Sequence, residues 1–275
     1  ELMTHFGDRI HHRACGGSGA NSIIGATQMG ATCFYSCRVS HDDTGQFYAA
    51  DLVKNKVDTN LDLTDLPAGA SGVCLVFVTP DAERTMNSFL GITADLGVSD
   101  LNEAAIANSE WLYIEGYLAS SESGRAAVRR AREVARENGV KIAATFSDPA
   151  MVTYFKDGVL DLLGDGVDLL FCNEEEAKVF TGTDSVDASL DGLKQIADSI
   201  ALTIGKDGAV LFDGSSRIDV AGIPVKAVDT TGAGDAFAGV FLAQICVGDS
   251  FSKAGEKACL SASRVVSSFG PRLSQ

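Results

Sequence analysis

Val228-Asp229-Thr230-Thr231-Gly232-Ala233-Gly234-Asp235-Ala236-Phe237 joins a short apolar run, read as a strand, to an apolar helical stretch through two glycines and ends on a carboxylate. The first turn of a helix carries unpaired amides and the positive end of the macrodipole, which together favour a bound anion. Without a Cβ at Gly232 or Gly234, their amides can approach a phosphate closely. Asp235, within the first helical turn, can take a proton from a hydroxyl while those amides accept charge developing on a phosphoryl group. By spacing alone the segment reads equally well as a tight strand-to-helix turn capped by an aspartate.

The rest of the chain bounds the chemistry. Its 275 residues suffice for one large core with an appendage, and the composition is that of a globular protein. A net charge of −15 and a pI near 4.6 argue against gripping a nucleic-acid backbone and favour a neutral acceptor, with Mg²⁺ screening an anionic nucleotide. Seven cysteines, at 15, 33, 37, 74, 172, 246 and 259, contain no CxxC pair and read as reduced thiols of a cytoplasmic protein. No apolar run is long enough to span a bilayer and no leader is evident, so no membrane partner is expected. The chain opens on Glu1-Leu2-Met3-Thr4 without a preceding strand, so its natural N terminus is expected to be incomplete. His5, His11 and His12 match no metal-ligand spacing, and the Walker A, GxSxG and protein-kinase motifs are missing from the sequence.

From about residue 110 apolar runs alternate with helical patterns, predicting a mostly parallel sheet with helices on both faces. Strands are predicted at Trp111–Ile114, Lys141–Phe146, Val167–Cys172, Ile200–Ile204 and Pro224–Val228, with a hairpin of Gly208–Phe212 and Ile218–Val220. Helices are predicted at Ser121–Asn138, Glu174–Thr181, Ser189–Ser199, Gly234–Val247 and Phe251–Ser268. The first hundred residues differ. A helix over Ser18–Met29, a strand near Thr32–Val39 and a helix over Thr44–Lys54 precede three short strands, Val57–Leu63, Val73–Thr79 and Arg84–Leu90, that form a β appendage.

Further constellations bear on function. Gly16-Gly17-Ser18-Gly19-Ala20-Asn21 opens the first helix, where backbone and the Asn21 amide can meet a hydroxyl-rich ring; by spacing it is equally a glycine-rich capping loop. Asn173-Glu174-Glu175-Glu176 follows a strand at the carboxyl edge of the sheet, where α/β proteins bind ligands. Carboxylates there can hold Mg²⁺ through water, or simply complement the helix dipole. Thr203-Ile204-Gly205-Lys206-Asp207-Gly208 closes another strand, and a plain turn explains it as well.

Together these segments resemble the PfkB or ribokinase family of small-molecule kinases, whose DTxGAGD core is present throughout at 229–235 and whose N-terminal glycine-asparagine signature is matched by Gly16, Gly17 and Asn21 with Gly25 and Gly30 following. The resemblance implies a ribokinase-like three-layer α/β/α fold with a small β-sheet lid, one kinase domain spanning 1–275, and a lid made mainly by about 1–15 and 56–91. It implies an ATP-dependent phosphotransferase in which Asp235 is the base, with Gly232, Ala233 and Gly234 as the anion cradle. Gly16, Gly17 and Asn21 would bind the acceptor, and Asn173, Thr203, Gly205 and Gly208 the nucleotide. Glu176, the last residue of an NxxE motif, would position Mg²⁺ through water; Asp229, with Gly270, would lie at a monovalent-cation site for K⁺. Glu83-Arg84-Thr85, Glu115-Gly116-Tyr117 and Ser147-Asp148-Pro149 are most similar to the adenosine-kinase-like branch. Arg84 would neutralise phosphoryl charge from the closed lid, or form an ordinary surface ion pair. Asp42, three residues before Gly45, matches a family pattern and also reads as a helix cap. The expected acceptor is an adenosine-like nucleoside or a sugar of ribose or fructose type. A non-catalytic nucleoside- or sugar-binding module is the alternative, and a homodimer through the lid is a candidate assembly.

Overall fold

The computed structural model describes residues 13–79 and 84–273, with the backbone alone at Arg84. The part of the expected lid before residue 13, and His5, His11 and His12, lie outside the described residues.

The centre is a six-stranded sheet. In chain order its strands are β5 (Trp111–Ile114), β6 (Lys141–Thr145), β7 (Val167–Asn173), β8 (Ala197–Thr203), β9 (Gly208–Phe212) and β10 (Arg217–Ala221), the four preceding strands belonging to the N-terminal third. They lie side by side in that order; β5 to β8 are parallel and β9 and β10 form the antiparallel margin. Strand residues alternate between two faces, as the two-residue period of a pleat requires. Ile142, Ala144, Leu170, Cys172, Ile200 and Leu202 enter one buried cluster, while Ala143, Leu169, Phe171, Ala201 and Leu211 enter another. The first cluster is closed by α4 (Glu122–Glu137), α6 (Lys156–Leu163), α7 (Glu174–Thr181) and α8 (Val186–Leu193), with the short α3 (Glu103–Ala107) and α5 (Pro149–Tyr154) beside them; the second is closed by α9 (Ala233–Cys246) and α10 (Phe251–Val266). The expected three-layer α/β/α arrangement with a mostly parallel sheet is therefore present.

The N-terminal third adds α1 (Ser18–Gln28), β1 (Cys33–Tyr35), α2 (Asp43–Lys54), β2 (Val57–Thr59), β3 (Val73–Val78) and β4 (Arg84–Phe89). Its β structure is divided where one appendage was expected. β3 and β4 form an antiparallel hairpin, but β2 pairs in parallel with β1. The Asn60 side chain ends that pairing early by bonding both the amide and the carbonyl of Cys37. Two further expectations fail. Pro224–Val228 is not a strand: Pro224 has no N–H for a ladder, and the amides of Val228 and Asp229 both donate to the Val266 carbonyl at the end of α10. The helix expected over Ser189–Ser199 runs instead from Val186, capped by Ser185, to Leu193, and β8 begins at Ala197 in register with Val167. Asp42 is the N-cap of α2, its carboxylate accepting from Gly45 and from the amide and hydroxyl of Ser71.

The packing of α1 on α9 positions the site. The two helices approach so closely that a Cβ at Gly239 would overlap the Ser22 carbonyl. Replacing Gly239 with alanine is expected to destabilise the protein by about 1–3 kcal/mol through overpacking, read as a lower melting temperature; an unchanged melting curve would show that the helices separate freely.

Candidate active site

The glycine loop before α9 is held from two sides. Gly232, the N-cap, is left-handed at φ 77°, and a Cβ there would overlap the Pro271 carbonyl, so glycine is required on both conformational and steric grounds. Asp229, 4% exposed, accepts from the Thr231 amide at 2.9 Å and from the Gly270 amide at 3.1 Å, tying the loop to the C-terminal segment. At Gly234 an added Cβ would meet nothing within 4 Å, so this side of the first turn opens onto a cleft of 2580 Å³. The Thr231 hydroxyl is buried without a hydrogen-bond partner among the described residues. An open helix N terminus, an unsatisfied hydroxyl and a glycine facing the void fit a phosphate group.

Asp235 lies in the first turn of α9 and accepts a hydrogen bond from Asn21 Nδ2 at 2.9 Å. Asn21 comes from α1, 214 residues earlier in the chain, and is 5% exposed; its Oδ1 is buried without a partner among the described residues, leaving an acceptor for a ligand hydroxyl. Gly16 and Gly17 stand at the rim of the same cleft, with no atom near the position a side chain would take. The two glycine segments of the sequence thus meet at this hydrogen bond.

Glu115 and Glu176 also line the cleft. Glu115 follows β5, and burial pushes its carboxyl up to about 7, reinforced by the negative charge of Asp235 and opposed by the Gly19 and Ser18 amides that donate to it. In the sequence the Glu115-Gly116-Tyr117 motif carries a family resemblance but no site role. The available signal was its place directly after a parallel strand, the same edge position that marked Asn173. Burial likewise pushes Glu176 up to about 7, against the Asn173 amide and with added repulsion from Asp148, Glu175 and Asp235. Asn173 and Glu176 form a reciprocal capping box, with bonds of 2.9 Å from the Asn173 amide and side chain to Glu176 and 2.8 Å in return. Both line the cleft, so the capping and ligand-facing readings hold together.

The expected nucleotide residues divide. Thr203, at the end of β8, borders the cleft. Gly205 is exposed in a short turn away from it, and Gly208 is buried where a Cβ would overlap the Val220 carbonyl, so its place is set by the β9–β10 hairpin. Arg84 opens β4 opposite Val78. The cleft also runs between β1 and β5, so its volume exceeds that of the residues gathered around Asp235. No helix among the described residues is long and apolar enough to cross a membrane.

Residues 8–275 match the model of the pfkB family carbohydrate kinases. This chain belongs to that family. A ribokinase of Haemophilus influenzae is 31% identical over 252 residues, covering 88% of this chain and 77% of that protein. The solved adenosine kinase of Sinorhizobium meliloti superposes with a TM-score of 0.92 at 30% identity, covering 98% of this chain and 84% of that one. A probable sugar kinase from Rhizobium etli gives 0.91 at 30% identity, over 100% and 84% of the two chains. The chain is accordingly an ATP-using sugar or nucleoside kinase of ribokinase-like fold.

As a pfkB kinase it carries a titration signature in its cleft. The folded-state pKa of Glu115 lies above its ordinary 4.5. The folded state therefore holds the extra proton, and the associated stability is complete below about 4.5 and lost as pH rises through about 7. Glu115→Gln is expected to reduce the fall in stability between these limits and to be more stable than the parent at pH 8 by roughly 1–3 kcal/mol. Denaturant unfolding across that range checks it; parallel curves for parent and variant would refute the assignment.

Proposed function

We propose that this kinase transfers the γ-phosphoryl group of ATP to a primary hydroxyl of an adenosine-like nucleoside or of a sugar, with Asp235 as the general base. The observation that carries the reading is the Asn21–Asp235 hydrogen bond, which joins the glycine loop suited to an acceptor to the one suited to a phosphate.

Gly16, Gly17 and Asn21 orient the acceptor so that its hydroxyl proton passes to the Asp235 carboxylate as the oxygen attacks the γ-phosphorus. The bond from that phosphorus to the β-γ bridging oxygen breaks, and ADP leaves with the electron pair. The amides of Gly232, Ala233 and Gly234 stabilise the developing charge. Asn173, Thr203, Gly205 and Gly208 are the proposed nucleotide residues, Gly205 and Gly208 acting by shaping the strand ends beside it. Among the described residues no group of three or more histidine, cysteine, aspartate or glutamate side chains is placed to hold a metal ion. Mg²⁺ would accordingly bind chiefly through the nucleotide's phosphates and water, neutralising charge there, with Glu176 as a water-mediated partner. Asp229 would serve a K⁺ ion alongside the amides it already accepts. The β3–β4 hairpin, within the segment 56–91, is the proposed lid that excludes water, with Arg84 delivered by its closure.

The nucleoside reading rests on the adenosine-kinase-like small motifs and the S. meliloti likeness; the ribokinase at 31% identity keeps the sugar reading in play. The cysteines at 15, 33, 37, 74, 172, 246 and 259 are free, which supports a cytoplasmic setting.

A coupled ADP-release assay with adenosine, ribose and fructose tests the function. Turnover with at least one acceptor is expected, falling by about 10²–10⁴ in Asp235→Asn. Binding without turnover would favour the non-catalytic module instead, and a preference for ribose or fructose would replace the nucleoside assignment. Met86, Phe89 and Leu90 stand exposed on and beside the hairpin, and a second copy of the chain is their proposed cover. Sedimentation should find a dimer that Phe89→Ser weakens; a parent that stays monomeric at micromolar concentration would exclude it.

A further inference from the structure

Arg272 stands two residues beyond Gly270, whose amide holds Asp229, and directly after Pro271, whose carbonyl closes over Gly232. Its guanidinium reaches away from that loop. Nη2 donates to Asp51 Oδ2 at 2.9 Å and Nη1 to the Cys15 sulfur at 3.4 Å. The two charged side chains are 12% and 15% exposed, so solvent screens this pair far less than the ion pairs on the outer face of α4.

Asp51 Oδ2 also accepts the Cys15 amide at 2.8 Å, and one turn earlier on α2 the Tyr48 hydroxyl donates to the Gly16 carbonyl at 3.1 Å. Successive turns of α2 therefore hold residues 15 and 16, immediately before Gly17 and α1. Burial pushes the Asp51 carboxyl up, but the Cys15 amide and Arg272 more than offset it, leaving it below the usual range. Without Arg272 the carboxylate would remain in a shielded site with its principal counter-charge removed.

We infer that Arg272 is a positioning residue: through Asp51 and Cys15 it fixes the glycine loop that receives the acceptor relative to the phosphate loop shaped by Gly270 and Pro271. The Asn21–Asp235 hydrogen bond then spans two loops clamped by one bracket. This role rests on the kinase reading, since it assigns the two loops to acceptor and phosphate. An arginine serving only to stabilise the fold would affect both substrates alike, whereas the bracket acts on the acceptor side.

The test compares the parent chain with Arg272→Met, Arg272→Lys and the exposed-surface control Arg264→Met. Without substrates, iodoacetamide labelling of Cys15 is followed by peptide mass spectrometry. Cys15 is 1% exposed, and burial pushes its thiol up to about 12 while Arg272 draws it down. Removing the guanidinium alone would make the thiol less acidic and slow labelling, so acceleration reports loop opening. Labelling about tenfold faster in Arg272→Met is expected, with Arg272→Lys intermediate because an ammonium cannot span both partners as the guanidinium fork does.

In ADP release with whichever of adenosine, ribose and fructose the parent uses, the acceptor KM should rise about tenfold in Arg272→Met while the KM for ATP stays within about twofold. Unchanged Cys15 labelling, or KM values that rise together or not at all, would overturn the role. A parent inactive toward all three acceptors would sink the kinase reading alone, and the labelling would still decide whether Arg272 fixes the loop. If Arg272→Met does not fold, Asp51→Asn removes the same charge pairing and must show the same acceptor-side KM effect with the KM for ATP unchanged.

Discussion

The close approach of α1 to α9 is the constraint on which the site depends. Helix axes normally stand 8–10 Å apart, according to the side chains between them, and here Gly239 lets the Ser22 carbonyl press against the α9 backbone. That contact brings Asn21 within hydrogen-bond distance of Asp235. The Asp235 carboxylate is thus oriented by a residue from the opposite end of the sequence, on a regular element packed into the core. Positioning from helices holds a carboxylate more firmly than positioning from loops, and the open side of the first turn is left to the ligand.

Much of this was legible in the sequence because the relevant signals are local. The glycines at 232 and 234, the carboxylate at 235 and the Asn173–Glu176 spacing each act within a single turn, so their effects can be read from a few residues. The central strands were legible for a similar reason: a doubly covered sheet demands continuous apolar runs, and Val167–Asn173 supplies one. Pro224–Val228 misled because its apolar residues satisfy the strand pattern while the Val228 amide finds its partner on α10, a long-range fact without a local trace. The division of the β appendage is of the same kind. Pairing of Val57 with Cys33 depends on a register that neither segment specifies alone. Glu115 escaped because its role follows from facing Asp235 and the first amides of α1 together, a juxtaposition created by the fold.

The carboxylates pose an electrostatic problem for a protein that handles polyphosphate with a net charge of −15. Glu115, Glu176 and Asp235 border one cleft, and full ionisation would set their field against an incoming nucleotide. Burial moderates this. With Glu115 and Glu176 both pushed up to about 7, each carries substantially less than a full charge near neutrality, and each can ionise further when a cation enters. Burial thus lowers the negative charge that the cleft presents, which full solvation of the same carboxylates would not do.

That adjustment has a stability consequence. A carboxyl whose pKa is raised by burial weakens the fold above that pKa, whereas a glutamine of the same shape would not. Glu176 shows why such a residue can still be structurally sound: its oxygens complete the capping box that starts α7, so the burial that raises its pKa also satisfies a helix terminus. Glu115 caps nothing of its own strand; its oxygens take up the Ser18 and Gly19 amides at the start of α1. In both cases the shifted carboxylate is also the partner that closes a helix end facing the cleft. Cleft charge and loop geometry are coupled through the same few atoms.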